Sequence, residues 1–242
     1  MDDLYRRREQ MIDRQIVARG ITDTRVIDAM RRVPRERFVA RSLLPFAYDD
    51  TPLPIEAGQT VSQPYMVAWM LQSASLAASD RVLEIGTGSG YAAAVMASLV
   101  AQVDTIERHR ELAERARERL ADLGCGNVIV HIGDGTLGLP SAAPFDAIIS
   151  TACGPDVPTA WRAQLARGGR IVMPVGDTDR MQRLIRVMYG EGGEEQRRDL
   201  GGVRFVPLIG EEGWPDASQT DVEDGLRSHF GSDFLRRHFR RN

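Results

Sequence analysis

The chain has 242 residues, 43% hydrophobic and 27% charged, with a formal net charge of −3. That length suits one α/β domain with a sizeable core. The composition excludes wholesale disorder, the acidic balance gives no reason to expect a nucleic-acid partner, and the absence of any lysine excludes Schiff-base chemistry.

The N-terminal segment is charged from its second residue, unlike a secretory signal. Its spacing predicts a helix with Leu4, Met11, Ile12 and Ile16 near one face and Gly20 as C-cap. A second helix is predicted with Thr22 or Thr24 as its cap, Val26, Ile27, Met30 and Val33 on one side, and Pro34 at or just past its end. Residues 43–63 are rich in Pro, Asp and Gly and read as an irregular segment, a feature that is often functional in compact domains. A helix from about Pro64 to Leu76 follows, carrying Met66, Trp69, Met70 and Leu71.

From residue 81 short apolar runs alternate with helical patterns: RVLEI, QVDTIE, NVIVHI, FDAIIS and RIVMPV. The clearest helix is HRELAERARERLADLG, where Leu112, Ala113, Ala116, Leu120 and Leu123 recur at helical spacing and Gly124 closes the run. Buried-type strands separated by helices predict an α/β fold with a doubly wound, mostly parallel sheet. RLIRVMYG and GGVRFVPLIG, joined by a polar turn, predict a C-terminal antiparallel hairpin that brings the sheet to seven strands. The last segment, 215–242, reads as a helical extension. Thr220 to Glu223 form a capping box, and Val222, Leu226, Phe230 and Phe234 make one apolar stripe, expected to dock on its own domain or on a second subunit.

Cys125 and Cys153 form no disulfide framework, which predicts a reducing, cytoplasmic compartment. The four histidines do not cluster, so no metal site is expected. No apolar run reaches the roughly 18 residues of a membrane span.

The glycine loop Glu84-Ile85-Gly86-Thr87-Gly88-Ser89-Gly90 falls where the first parallel strand turns into a helix. Its glycines permit tight turning and close backbone approach to a ligand. A dinucleotide fingerprint needs glycine at position 91, where Tyr91 stands, so a nicotinamide cofactor is disfavoured. Instead, Glu84 lies two residues before the first glycine, suiting a ligand without a pyrophosphate whose charged amino-acid end meets a carboxylate. Glu107, at the end of the next strand, is placed to accept from both hydroxyls of a ribose. Asp134 ends the third strand on the same sheet edge. Capping of the following helices is the competing reading of Glu107 and Asp134. Together these residues point to S-adenosyl-L-methionine.

Seven segments carry a family resemblance: QTVSQPYMVAWM (59–70), VLEIGTGSGYAAAV (82–95), IER (106–108), GDG (133–135), APFDAIIS (143–150), GGRIVMPVG (168–176) and RFVPLIG (204–210). With them the chain resembles the protein-L-isoaspartate O-methyltransferases from about Arg14 to Trp214. The glycine loop is shared by many methyltransferases, whereas TVSQPYMVA is specific to this family. The resemblance implies a Rossmann-like methyltransferase domain over 1–214, with a helical, substrate-side segment (1–78) and a cofactor-binding sheet (79–214). It implies Ser62 as the active-site residue and Gly86, Gly88, Glu107, Asp134 and Gly135 as cofactor contacts, to which the loop reading adds Glu84, Thr87 and Gly90. Where many relatives have Ala-Pro-His, this chain has Gln63-Pro64-Tyr65.

The implied reaction moves a methyl group from S-adenosyl-L-methionine to the free α-carboxylate of L-isoaspartyl residues, leaving S-adenosyl-L-homocysteine and starting repair through a succinimide. The implied partners are damaged proteins or peptides, with neither nucleic acid nor membrane, and the protein is expected to be a monomer or a weak dimer through its tail. Such a carboxyl group has a pKa near ~3.5, is ionised at neutral pH and needs no general base. Catalysis is then mainly positioning, which suits a site poor in His, Cys and Lys. Three alternatives stay open on sequence alone: Ser62 as a helix cap, a dedicated peptide or small-molecule carboxylate substrate, and a cofactor-binding adaptor that methylates nothing.

Overall fold

The computed structural model describes residues 3–177, 181–190 and 192–216. The predicted tail helix lies outside these residues.

The N-terminal segment is helical throughout: α1 (Asp3–Met11) runs into a π turn (Ile12–Ile16) and a 3₁₀ turn (Val17–Arg19). Gly20 ends it at φ +90°, a left-handed cap that glycine adopts without steric penalty. The second helix, α2 (Thr24–Arg32), is capped by neither predicted threonine. Asp23 takes that place, its carboxylate accepting from the backbone N–H groups of Arg25 and Val26, while the Thr22 N–H is held by the Gln72 side chain. Residues 43–63 contain 3₁₀ turns and a two-stranded ribbon, β1 (Leu53–Pro54) against β2 (Thr60–Val61). The helix α3 (Pro64–Ala74) follows, with proline at its first position, where a missing N–H costs no bond.

Seven strands then form one sheet: β3 (Arg81–Ile85), β4 (Gln102–Glu107), β5 (Val128–Ile132), β6 (Phe145–Ser150), β7 (Leu165–Val175), β8 (Gln182–Tyr189) and β9 (Glu195–Val203), in the order β5-β4-β3-β6-β7-β8-β9. The pairs from β5 to β7 are parallel, and β8 is antiparallel to both its neighbours. Helices α4 (Tyr91–Ala97), α5 (Arg110–Asp122) and α6 (Thr159–Arg162) fill the connections. Alternation along the strands feeds two apolar layers. Val82, Ala147, Ile149 and Val172 face the helices α1 to α5, while Leu83, Ile85, Ile148 and Ile171 pack with Trp161 on the opposite face.

The hairpin needs a correction. Its second strand is Glu195–Val203, not the apolar run 201–210. From Arg204 the chain leaves β8, and Val206 and Leu208 exchange backbone bonds with Cys153 beyond the end of β6. The apolar run is thus drawn into the core at Leu208, and the charged, exposed β9 forms the sheet edge, the usual protection of an open edge. Among the described residues no helix is long and apolar enough to cross a membrane.

Candidate active site

The strand order reverses at β3, whose neighbours are β4 on one side and β6 on the other. In such sheets the crevice beyond the strand ends at that point is where ligands bind. The glycine loop occupies it. Gly86 and Gly88 have φ of +93° and +54°. A Cβ on Gly86 would lie 2.7 Å from the Thr151 hydroxyl, whereas one on Gly88 would meet nothing closer than 3.7 Å. The first glycine is thus required by the fold, and the second leaves open backbone facing the ribbon β1–β2, whose Ile55 and Thr60 are its nearest neighbours.

Ser62, Glu84, Gly86, Thr87, Gly88 and Thr151 line one crevice here, with Tyr91 at its back. Ser62 is not the helix cap: Gln63 holds that position and makes no side-chain cap bond. The Ser62 side chain has no hydrogen-bond partner among the described residues, while its carbonyl accepts from Arg35 Nη1 at 2.9 Å. Tyr65 lies under the Arg19 guanidinium at 3.5 Å and beside Trp69 at 5.8 Å, outside the residues that line the crevice.

Glu84 is fully buried. Its Oε2 accepts from Thr105 at 2.5 Å, and the Thr87 hydroxyl adjoins Thr105 at 2.6 Å. Its Oε1 is buried without a partner. Burial pushes its pKa up to about 8; the Thr105 bond opposes the rise and the charge of Glu107 adds to it. Glu107 accepts from the N–H groups of Gly88 and His109, tying the loop to the end of β4 and leaving one lone pair on each oxygen. Gly90 ends the loop at φ +90° as the N-cap of α4.

Glu107, Gly90, Asp134 and Gly135 lie on the same sheet edge, outside the residues that line the crevice. Asp134 accepts from Thr136 and from the Glu211 N–H, which anchors the C-terminal turn. Burial raises its pKa, but these bonds and the charge of Arg108 outweigh it, so the net shift is downward. Gly135 packs against Ile85, where a Cβ would come within 2.5 Å of the isoleucine, and its carbonyl accepts from Trp161. Asp134 thus caps the 3₁₀ turn Gly135–Leu137. Thr105 and Thr151 were missed from the sequence. Each is a polar residue in or just after an apolar strand, which was the available signal. A second recess, bounded by Leu120, Cys125, Val128 and Val130, contains none of these groups.

The glycine cradle and the unpartnered Glu84 oxygen fit a ligand with a cationic amino-acid end. Comparison with known proteins agrees. Residues 6–213 match the family model described as Protein-L-isoaspartate(D-aspartate) O-methyltransferase. A protein-L-isoaspartate O-methyltransferase of Brucella anthropi is 51% identical over 89% of this chain and 99% of its own, and one of Rhodopseudomonas palustris is 53% identical over 89% and 100%. A solved protein-L-isoaspartate O-methyltransferase superposes with a TM-score of 0.77 at 31% identity, over 85% of this chain and 67% of that one. A putative Plasmodium falciparum relative, solved in complex with S-adenosyl-L-homocysteine, gives 0.73 at 25% identity over 84% and 98%. The chain belongs to the protein-L-isoaspartate(D-aspartate) O-methyltransferase family.

Proposed function

We propose that this chain transfers a methyl group from S-adenosylmethionine to the free α-carboxylate of L-isoaspartyl residues in proteins or peptides, with Ser62 at the substrate side of the crevice and the glycine loop at its cofactor side. The observation that carries the reading is that Ser62, from the segment before α3, shares one crevice with Glu84, Gly86 and Gly88. Glu84 offers its unpartnered oxygen to the cofactor's ammonium. Glu107 offers its remaining lone pairs to ribose hydroxyls, and Thr87, Gly88 and Gly90 shape the loop between them. Asp134 and Gly135 hold the adjoining edge in place.

When bound, S-adenosylmethionine supplies a methyl group already activated on a sulfonium. The isoaspartyl carboxylate, with a pKa near ~3.5, arrives ionised, so no residue has to remove a proton. The Ser62 hydroxyl donates to it and fixes its direction, which is catalysis by orientation. Among the described residues, no Arg, Lys or His lines the crevice. That restraint matters, because the carboxylate loses its charge as the ester forms, and a strong cation would stabilise the reactant more than the transition state.

The test is methyl transfer to paired isoaspartyl and aspartyl peptides, scored as alkali-labile ester. Label is expected on the isoaspartyl peptide, and Ser62→Ala is expected to lower kcat while leaving S-adenosylhomocysteine affinity unchanged. Equal labelling of the two peptides, or alkali-stable label, overturns the substrate assignment. Unchanged turnover per folded molecule in S62A overturns the role of Ser62.

A further inference from the structure

Arg35 is fully buried and forms no ion pair among the described residues. Its guanidinium spends its donors on backbone carbonyls instead: Nε to Ala47 at 2.8 Å, Nη1 to Ser62 at 2.9 Å and Nη2 to Thr51 at 3.3 Å. It also lies 5.1 Å from the ring centroid of Tyr91, the first residue of α4 after the glycine loop. Burying a guanidinium without a carboxylate partner is costly, and only a planar fork of donors can reach three carbonyls at once.

The Ser62 carbonyl needs such a donor. The ladder of α3 begins one residue later, where the Val67 N–H bonds to Gln63, so the helix has no donor for Ser62. Pro64 offers no N–H either. Arg35 therefore holds the Ser62 backbone from behind, and Gln63 is pinned beside it by its side-chain bond to the Asp50 carbonyl. Ser62 itself lines the crevice.

We propose that Arg35 is a positioning residue for methyl transfer: its buried guanidinium sets the Ser62 backbone and locks it to the start of α4, so that the serine hydroxyl and the glycine loop keep one fixed relation. This rests on the reading of Ser62 given above. Arg35 is not among the residues that line the crevice; it reaches the reaction through the Ser62 backbone, which it ties to Tyr91. Burial pulls its pKa down to about 10, against the opposing influence of Tyr91, Tyr48 and Asp50, so it stays charged at neutral pH.

The test compares the wild type, R35K, S62A and R35K/S62A, with R35Q as a second variant. Turnover of an isoaspartyl peptide is counted per S-adenosylhomocysteine-binding molecule, so a loss of folded protein does not register as a loss of rate. A lysine can replace one of the three bonds but not the fork. R35K is expected to leave S-adenosylhomocysteine affinity within about twofold and to lower kcat by about tenfold or more, the scale of a small misplacement of a reacting group. In the S62A background the same change is expected to cost less than about twofold, because coupled residues are not additive. Equal losses in both backgrounds, or a loss of affinity that matches the loss of turnover, overturns the assignment. So does a failure of both R35K and R35Q to yield any S-adenosylhomocysteine-binding protein, which makes Arg35 a staple of the fold alone. If S62A itself turns over normally, it is the reading of Ser62 that has failed, and the role of Arg35 falls with it. If S62A is impaired and the losses are additive, only the role of Arg35 has failed.

Discussion

Glu84 is a carboxyl group buried in the sheet, with no ion pair among the described residues. Its partners across the strands are Thr105 on β4 and Ile149 on β6, and the like charge of Glu107 acts on it. With a pKa near 8 in the fold, against an ordinary value of 4.5, it carries a proton at neutral pH. For a carboxyl raised in this way, folding favours the protonated form. The stability it contributes is fully present below pH 4.5 and is lost as the pH rises through 8. Each unit of such a shift is worth about 1.4 kcal/mol. The ligand-free protein is therefore expected to lose melting temperature between about pH 5 and about pH 9, and Glu84→Gln is expected to flatten that slope. A cofactor ammonium reverses the preference and expels the proton. Calorimetry of S-adenosylhomocysteine binding near neutral pH, in buffers of different ionisation enthalpy, should show proton release by the wild type and none by E84Q. Identical proton release, or identical slopes, contradicts a protonated Glu84.

The elements that carry this site are held by polar staples that periodicity does not reveal. The clearest is the buried ion pair of Asp80 and Arg170, which joins the entry of β3 to β7. Arg170 also donates to the carbonyls of Ala74 and Ser75, so the same side chain fixes the end of α3, the helix that follows Ser62. Removing one partner of a buried pair leaves an uncompensated charge and costs about 3–5 kcal/mol. Asp80→Ala is expected to lower stability to denaturant on that scale, and the double change Asp80→Ala/Arg170→Met to recover part of the loss. A single variant as stable as the wild type contradicts the staple. What was legible follows from the same contrast. The strands β3, β4, β6 and the second half of β7 announce themselves because both faces are covered and their residues are apolar, and β5 keeps an apolar run although Ile129 is exposed. The strand β9, EQRRDLGGV, has no apolar run because it is an exposed edge, and FVPLI drew the reading away from it. The glycine loop and Ser62 were legible as motifs. Thr105, Thr151 and Arg35 were not, because their places depend on strand register and on which carbonyls a distant loop presents.

At the scale of the molecule, the fold brings residues far apart in sequence to the reversal point of one sheet. Arg35 and Ser62 come from the N-terminal segment, Glu84 to Tyr91 from the first crossover, Glu107 from the second strand and Thr151 from the return strand. The C-terminal turn closes this edge, with the Glu211 N–H on Asp134 and Asp216 paired to Arg108 at 2.6 Å. The match to the family ends at residue 213, before the tail begins. The tail 217–242 adds 26 residues beyond the described ones. A chain truncated after Asp216 keeps the Arg108 pair, and its S-adenosylhomocysteine affinity and isoaspartyl turnover are expected to stay within about twofold of the full chain, the range of independent, distant changes. The same protein also reads the docking expected from the stripe Val222, Leu226, Phe230 and Phe234. If the tail packs on its own domain, truncation lowers the melting temperature; if it joins two copies, truncation lowers the mass in solution. A fall in turnover with neither change contradicts the separation of tail and site, because it requires a catalytic contribution from residues beyond 216.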